Sequence, residues 1–135
     1  MNIEGKWQGV ITYGESYGDD KDKTLYFEIE IEQYGLAFDA IAIDISGFGV
    51  NSAPADVHGE IIGNQITFTK KYRALGIIGL PIDHSQPGRE IQYQGKFDNS
   101  VGHFTGKWKF KPGGFTYAGN YYETCGEGQW VLNRV

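Results

Sequence analysis

The chain has 135 residues, of which 20 are glycine and 20 are aromatic (Trp 3, Tyr 9, Phe 8), with only 4 prolines. Glycine at twice its ordinary frequency without a three-residue period excludes collagen, the many large rings exclude a disordered chain, and glycine's cost of about 1 kcal/mol against alanine in a helix argues against a helical bundle. A net charge of −5 lacks the basic footprint of a nucleic-acid binder, and the length suits one domain over residues 1–135.

Period-two alternation, the pattern of strands with one inward face, runs through the chain. Over 3–13, Ile3, Gly5, Trp7, Gly9, Ile11 and Tyr13 share one face, opposite Glu4, Lys6 and Gln8. Over 25–32, Leu25, Phe27, Ile29 and Ile31 oppose Tyr26, Glu28, Glu30 and Glu32. The polar stretch 14–23 between them reads as a solvated turn, since Asp19, Asp20 and Asp22 lack the residue order and glycine of an EF-hand loop. Residues 36–45 are apolar on both parities, with Phe38, Ala40 and Ala42 on one and Ile41, Ile43 and Ile45 on the other. That predicts a strand buried on both faces, with a short helix as the competing reading. A loop follows over 46–54. Residues 55–62 and 65–72 flank Gly63-Asn64, a two-residue hairpin signal. This turn sets Ile61 opposite Ile66 and Gly59 opposite Phe68.

Residues 73–89 form a long connection holding the apolar run Leu75-Gly76-Ile77-Ile78-Gly79-Leu80. Such a run must be buried, as a lid over a barrel mouth, an extra strand or a subunit contact. Asp83-His84-Ser85 gathers the residue types of a catalytic triad, but adjacent residues cannot converge on one another as a triad requires. Beyond it, Ile91, Tyr93, Gly95 and Phe97 share a face, as do Phe104, Gly106, Trp108 and Phe110. With Asn99-Ser100 as the turn, Phe97 faces Gly102, Gly95 faces Phe104 and Tyr93 faces Gly106, so each glycine of the hairpin opposes a ring. The outer face carries Lys107, Lys109 and Lys111 with Lys96 nearby, a pattern that guards strands against aggregation. Residues 115–125 read as a further strand and 128–134 as the closing one. About eight strands, mostly joined by short turns and without a helix, predict an all-β, up-and-down antiparallel barrel.

The tripeptide Gly-x-aromatic recurs at Gly5-Lys6-Trp7, Gly95-Lys96-Phe97, Gly106-Lys107-Trp108 and Gly128-Gln129-Trp130. The spacing puts glycine and ring on one face. Glycine lets a strand bend and leaves room for a neighbour's ring, and small closed barrels need both. The rings then either fill the core or line a pocket. With Gly-x-Trp at both ends and this strand count, the chain resembles the calycin group of lipocalins, avidins and fatty-acid-binding proteins. The resemblance implies a lipocalin-like barrel with a basic side chain, matched by Arg134, stacked over Trp7. The chain departs from the group in lacking a second lipocalin signature and a cysteine pair. Gln8-Gly9-Val10-Ile11 after Trp7 does not match the polar set with which avidins hold biotin, so biotin binding is not carried over.

His58, His84 and His103 have no zinc-like spacing and Cys125 is the only cysteine, so neither a metal, a cofactor nor a catalytic set is expected. The leading functional expectation is non-catalytic binding of a small hydrophobic or aromatic ligand in a barrel pocket. Its candidate residues are Tyr13, Phe38, Tyr72, Tyr93, Trp108 and Arg134, with Arg89 as a further anchor for an acidic ligand. A barrel without a cavity above about 100 Å³ would defeat this reading. The alternative is a protein-interaction module, a homodimer or an inhibitor of another protein, with a side-chain-filled barrel. An enzyme on a calycin-type barrel ranks third. The absence of an apolar h-region near the N-terminus and the lone cysteine lead to the expectation of a cytoplasmic protein without a membrane partner.

Overall fold

A computed structural model describes residues 1–123 and 125–135. The strands are β1 (Gly5–Tyr13), β2 (Thr24–Tyr34), β3 (Ala37–Gly47), β4 (Ala55–Ile62), β5 (Gln65–Tyr72), β6 (Glu90–Asp98), β7 (His103–Phe110), β8 (Gly114–Tyr117), β9 (Asn120–Glu123) and β10 (Glu127–Arg134). Eight of them close an antiparallel barrel in the order β1-β10-β7-β6-β5-β4-β3-β2. The fold is therefore the expected all-β barrel, up and down along the chain, with β10 sealing the gap between β7 and β1. Alternation aims Trp7, Ile11, Phe27, Ile29, Phe68, Phe104 and Trp130, among others, into one continuous core.

The connections differ at the two ends. Short turns at 35–36, 63–64 and 99–102 lie at one end, and the connections over 14–23, 48–54 and 73–89 lie at the other. The short-turn end is plugged by the N-terminal residues. Ile3 is fully buried, and Trp7 Nε1 donates to its carbonyl at 2.8 Å. The Arg134 guanidinium stacks 4.5 Å from the Trp7 ring centroid and donates to the carbonyls of Asn2 (2.7 Å) and Glu4 (2.8 Å).

The Gly63-Asn64 hairpin has the expected register, with Ile61 opposite Ile66 and Gly59 opposite Phe68. The 91–110 hairpin does not. Gly95 lies opposite Gly106, Tyr93 opposite Trp108 and Phe97 opposite Phe104. The turn uses four residues instead of two, because Asp98 accepts from the Ser100 N–H (2.9 Å) and Oγ–H (2.6 Å). Gly102, at φ +76°, completes it in the left-handed region, which glycine adopts without strain. The rings cover the glycines from the next strand instead. Trp130 of β10 lies across the Gly95–Gly106 pair and donates from Nε1 to the Gln94 and Lys107 carbonyls at 3.2 and 3.1 Å. The strands approach so closely that a Cβ on Gly106 would stand 1.9 Å from the Gln94 oxygen.

Two further expectations are corrected. β3 is buried on one face only: Phe38, Ala40, Ala42 and Asp44 point inward, while Ile41, Ile43 and Ile45 are about half exposed. A single closed sheet has no second layer to cover its outer face, so apolar residues on both parities do not bury both. The strand expected over 115–125 does not join the barrel: β8 and β9 pair with each other as a separate hairpin, turned at Ala118 and Gly119, both at positive φ, and Thr124 lies outside the described residues. The 14–23 segment buries no residue within 15–20, as expected of a solvated turn, and is built of short 3-10 turns on either side of a kink at Gly18.

Candidate functional site

A cavity of about 480 Å³ lies at the end bearing the long connections. Its barrel wall includes Ile11, Tyr13, Leu25, Tyr72, Ile91, Tyr93 and Trp108, and Gly76, Ile77, Ile78, Gly79, Leu80 and Ile82 close over it from the β5–β6 connection. The apolar run in that connection borders the cavity as a partly exposed cover and is not buried as expected: only Leu75 is buried, while Ile78 and Leu80 are each 42% exposed. It is anchored at its base, where the buried Leu75 exchanges backbone hydrogen bonds with Asp83 at 3.0 and 2.9 Å. The Asp83 carboxylate accepts from the Ser85 N–H and Oγ–H at 2.9 and 2.6 Å, a local turn in which His84 makes no triad.

Four of the six candidate residues meet at this cavity: Tyr13, Tyr72, Tyr93 and Trp108. They arrive from β1, β5, β6 and β7 on inward parity. The Tyr13 and Trp108 rings pack edge to face at 5.7 Å, and the Tyr13 hydroxyl donates to the Phe48 carbonyl at 2.9 Å. Phe38 is elsewhere in the core, 6.1 Å from the Phe68 ring. Arg134 is at the plugged end against Trp7. Arg89 reaches the cavity rim, where it donates to the Lys111 carbonyl at 2.8 Å and stacks over Phe115.

The structure adds a buried polar cluster that sequence reasoning missed. Lys70, 1% exposed, sits one inward position deeper in β5 than Tyr72. Its Nζ is 3.8 Å from Asp44 Oδ1, beyond hydrogen-bond range. Aromatic faces surround it, with the Phe27 and Tyr72 ring centroids at 4.5 and 4.9 Å and the Tyr93 ring at 5.9 Å, a favourable setting for a cation. The Asp44 carboxylate has other partners. Tyr72 O–H donates to it at 2.8 Å and the Asn51 backbone N–H donates at 2.9 Å. The Asn51 side chain donates to the Ala74 carbonyl at 3.0 Å, which ties the β3–β4 loop to the cavity cover. One signal for the cluster was present in the sequence: Lys70 shares parity with Ile66, Phe68 and Tyr72, and Asp44 with Phe38, Ala40 and Ala42.

Burial dominates the electrostatics. It lowers the pKa of the Lys70 amine below its usual value, and the Asp44 carboxylate opposes that shift. Burial, then the Asp44 charge, pushes the Tyr13 phenol up to about 12. Tyr72 and Tyr93 rise well above the ordinary phenol value for the same two leading reasons. The phenols at the cavity thus stay protonated and available as donors.

Among the described residues, no group of three or more His, Cys, Asp or Glu is placed to hold a metal ion, and no helix is long and apolar enough to cross a membrane. Comparison with protein-family models, curated proteins and solved structures gives no match.

Proposed function

We propose that the protein binds a small, largely apolar or aromatic molecule, without covalent chemistry, at the covered end of its barrel. The cavity carries this reading: about 480 Å³ falls within the usual 300–1,000 Å³ range of ligand sites, and apolar walls with a few polar groups are their usual lining. A calycin-like assignment belongs to the same proposal, supported by the closed eight-stranded barrel and by Arg134 over Trp7. The test is titration with the neutral fluorescent probe N-phenyl-1-naphthylamine. Saturable binding at one site per chain is expected, abolished by Ile11→Trp, which fills the lining, in a variant that keeps the wild-type circular dichroism spectrum. Absence of saturable binding, or equal binding by Ile11→Trp, overturns the reading.

A second reading, contact between two copies of the chain, is favoured by the exposed Ile41, Ile43 and Ile45 stripe on β3. Sedimentation velocity is its measurement: concentration-dependent dimers that Ile43→Lys dissociates support it, and a strict monomer excludes it.

A further inference from the structure

Among the described residues, Lys70 Nζ and the Tyr93 hydroxyl are the buried side-chain polar atoms without a hydrogen-bond partner. Buried polar groups are almost always satisfied, so a buried orphan calls for a partner that the chain does not supply, a water or a ligand. Two orphans in one neighbourhood strengthen that inference: Nζ is 5.9 Å from the Tyr93 ring centroid, and Tyr93 lines the cavity while Lys70 lies behind its wall. Both groups present hydrogens: the lysine amine donates whether charged or neutral, and a phenol held neutral offers its O–H. The missing partner is therefore an acceptor. Asp44 does not fill the role, because it is 3.8 Å from Nζ and already engaged by Tyr72 and Asn51.

Charge selects the kind of acceptor. Asp44 at most balances the lysine, so the cluster has no spare positive charge. A ligand carboxylate would bring a second negative charge beside Asp44 in a water-poor interior, where like charges repel strongly. A neutral oxygen meets no such repulsion. We propose that the cavity's ligand is a neutral carbonyl compound with an apolar or aromatic body, whose oxygen displaces the cavity-lining Tyr72 and Tyr93 side chains enough to reach the buried donors behind them and accepts from Lys70 Nζ and Tyr93 O–H. This rests on the reading of the cavity as a binding site and names the chemistry that the site selects.

Three probes built on one ring system separate the two ideas: 2-ethylnaphthalene, 2-acetylnaphthalene and 2-naphthoate, titrated at pH 7 by quenching of tryptophan fluorescence. The ketone is expected to bind about tenfold or more tighter than the hydrocarbon, the effect of one or two buried hydrogen bonds, and the carboxylate more weakly than the ketone. In Lys70→Met and in Tyr93→Phe the ketone-to-hydrocarbon ratio falls towards one, and agreement between the two variants guards against a folding defect in either. Equal binding of ketone and hydrocarbon, tightest binding of the carboxylate, or an unchanged ratio in both variants overturns the carbonyl proposal while leaving the cavity a binding site. Failure of all three probes to bind overturns both.

Discussion

An Asp44→Ala substitution removes one carboxylate on which three buried groups depend. Tyr72 O–H and Asn51 N–H lose their acceptor, and hydrogen bonds to a charged group contribute about 1.5–3 kcal/mol each. Lys70 loses its counter-charge at 3.8 Å in a fully buried site, and breaking a buried pair costs about 3–5 kcal/mol. These losses overlap because they meet at one group, so the expected destabilisation is about 4–6 kcal/mol, comparable with the whole stability of a small domain. Lys70→Met acts differently. The amine makes no hydrogen bond, methionine fills nearly the same space, and Asp44 keeps both donors. The expected change is within about 1.5 kcal/mol, since replacing buried charge by apolar volume is often neutral. The double variant should recover at least about 1 kcal/mol relative to Asp44→Ala alone, because no unpaired cation remains. Urea unfolding at pH 7, followed by tryptophan fluorescence, measures all three, with Asp44→Asn as a milder arm that retains an acceptor. A Lys70→Met variant less stable than Asp44→Ala, or a double variant no better than Asp44→Ala, would refute this account.

Alkaline stability should reflect the buried phenols. The folded pKa of Tyr13 is raised from 10.0 to about 12, so its contribution is full below pH 10 and lost as pH rises from 10 through 12, a loss of about 3 kcal/mol. Tyr72 and Tyr93 act in the same direction, whereas Lys70, with its lowered pKa, contributes increasing stability with pH up to its unfolded value. Absorbance at 295 nm against pH should show a late cooperative ionisation coincident with loss of circular dichroism; completion of phenol ionisation before any unfolding would contradict it. Gly106→Ala should lower Tm by roughly 4–12 °C, since its Cβ would collide with the Gln94 carbonyl and overpacking costs about 1–3 kcal/mol. An unchanged Tm by calorimetry would show that β6 and β7 can separate freely there.

The inward faces were legible because parity needs only two neighbours on the same strand. Leu25, Phe27, Ile29 and Ile31, or Ile91 and Tyr93, declare their side of the sheet without reference to a partner. Register was legible at Gly63-Asn64, where the turn is two residues long, and not at 98–103, where Asp98 builds a longer turn around Ser100. The two-residue slip preserved every face and changed every partner, so Gly95 met Gly106 where Phe104 was expected. In β3, Ile41, Ile43 and Ile45 read as buried because sequence cannot say whether a second layer exists. The site was half legible. Tyr13, Tyr72, Tyr93 and Trp108 followed from parity and ring chemistry. Lys70 shared that parity, but its pairing with Asp44 depends on where β3 stands relative to β5, two strands round the barrel. Arg134 and Phe38 shared the chemistry of a pocket lining yet lie away from the cavity, a matter of depth along the barrel axis that alternation does not encode.

The position of β10 bears on how the molecule is made. It sits between β1 and β7, so the ring stays open until residues 127–134 leave the ribosome, with both flanking edges unpaired while synthesis continues. Exposed edges invite pairing with other chains, and barrels rich in distant contacts fold slowly. A nascent chain stalled before residue 127 would present those two edges together, and the Arg134 contacts with Asn2 and Glu4 would be among the last to form.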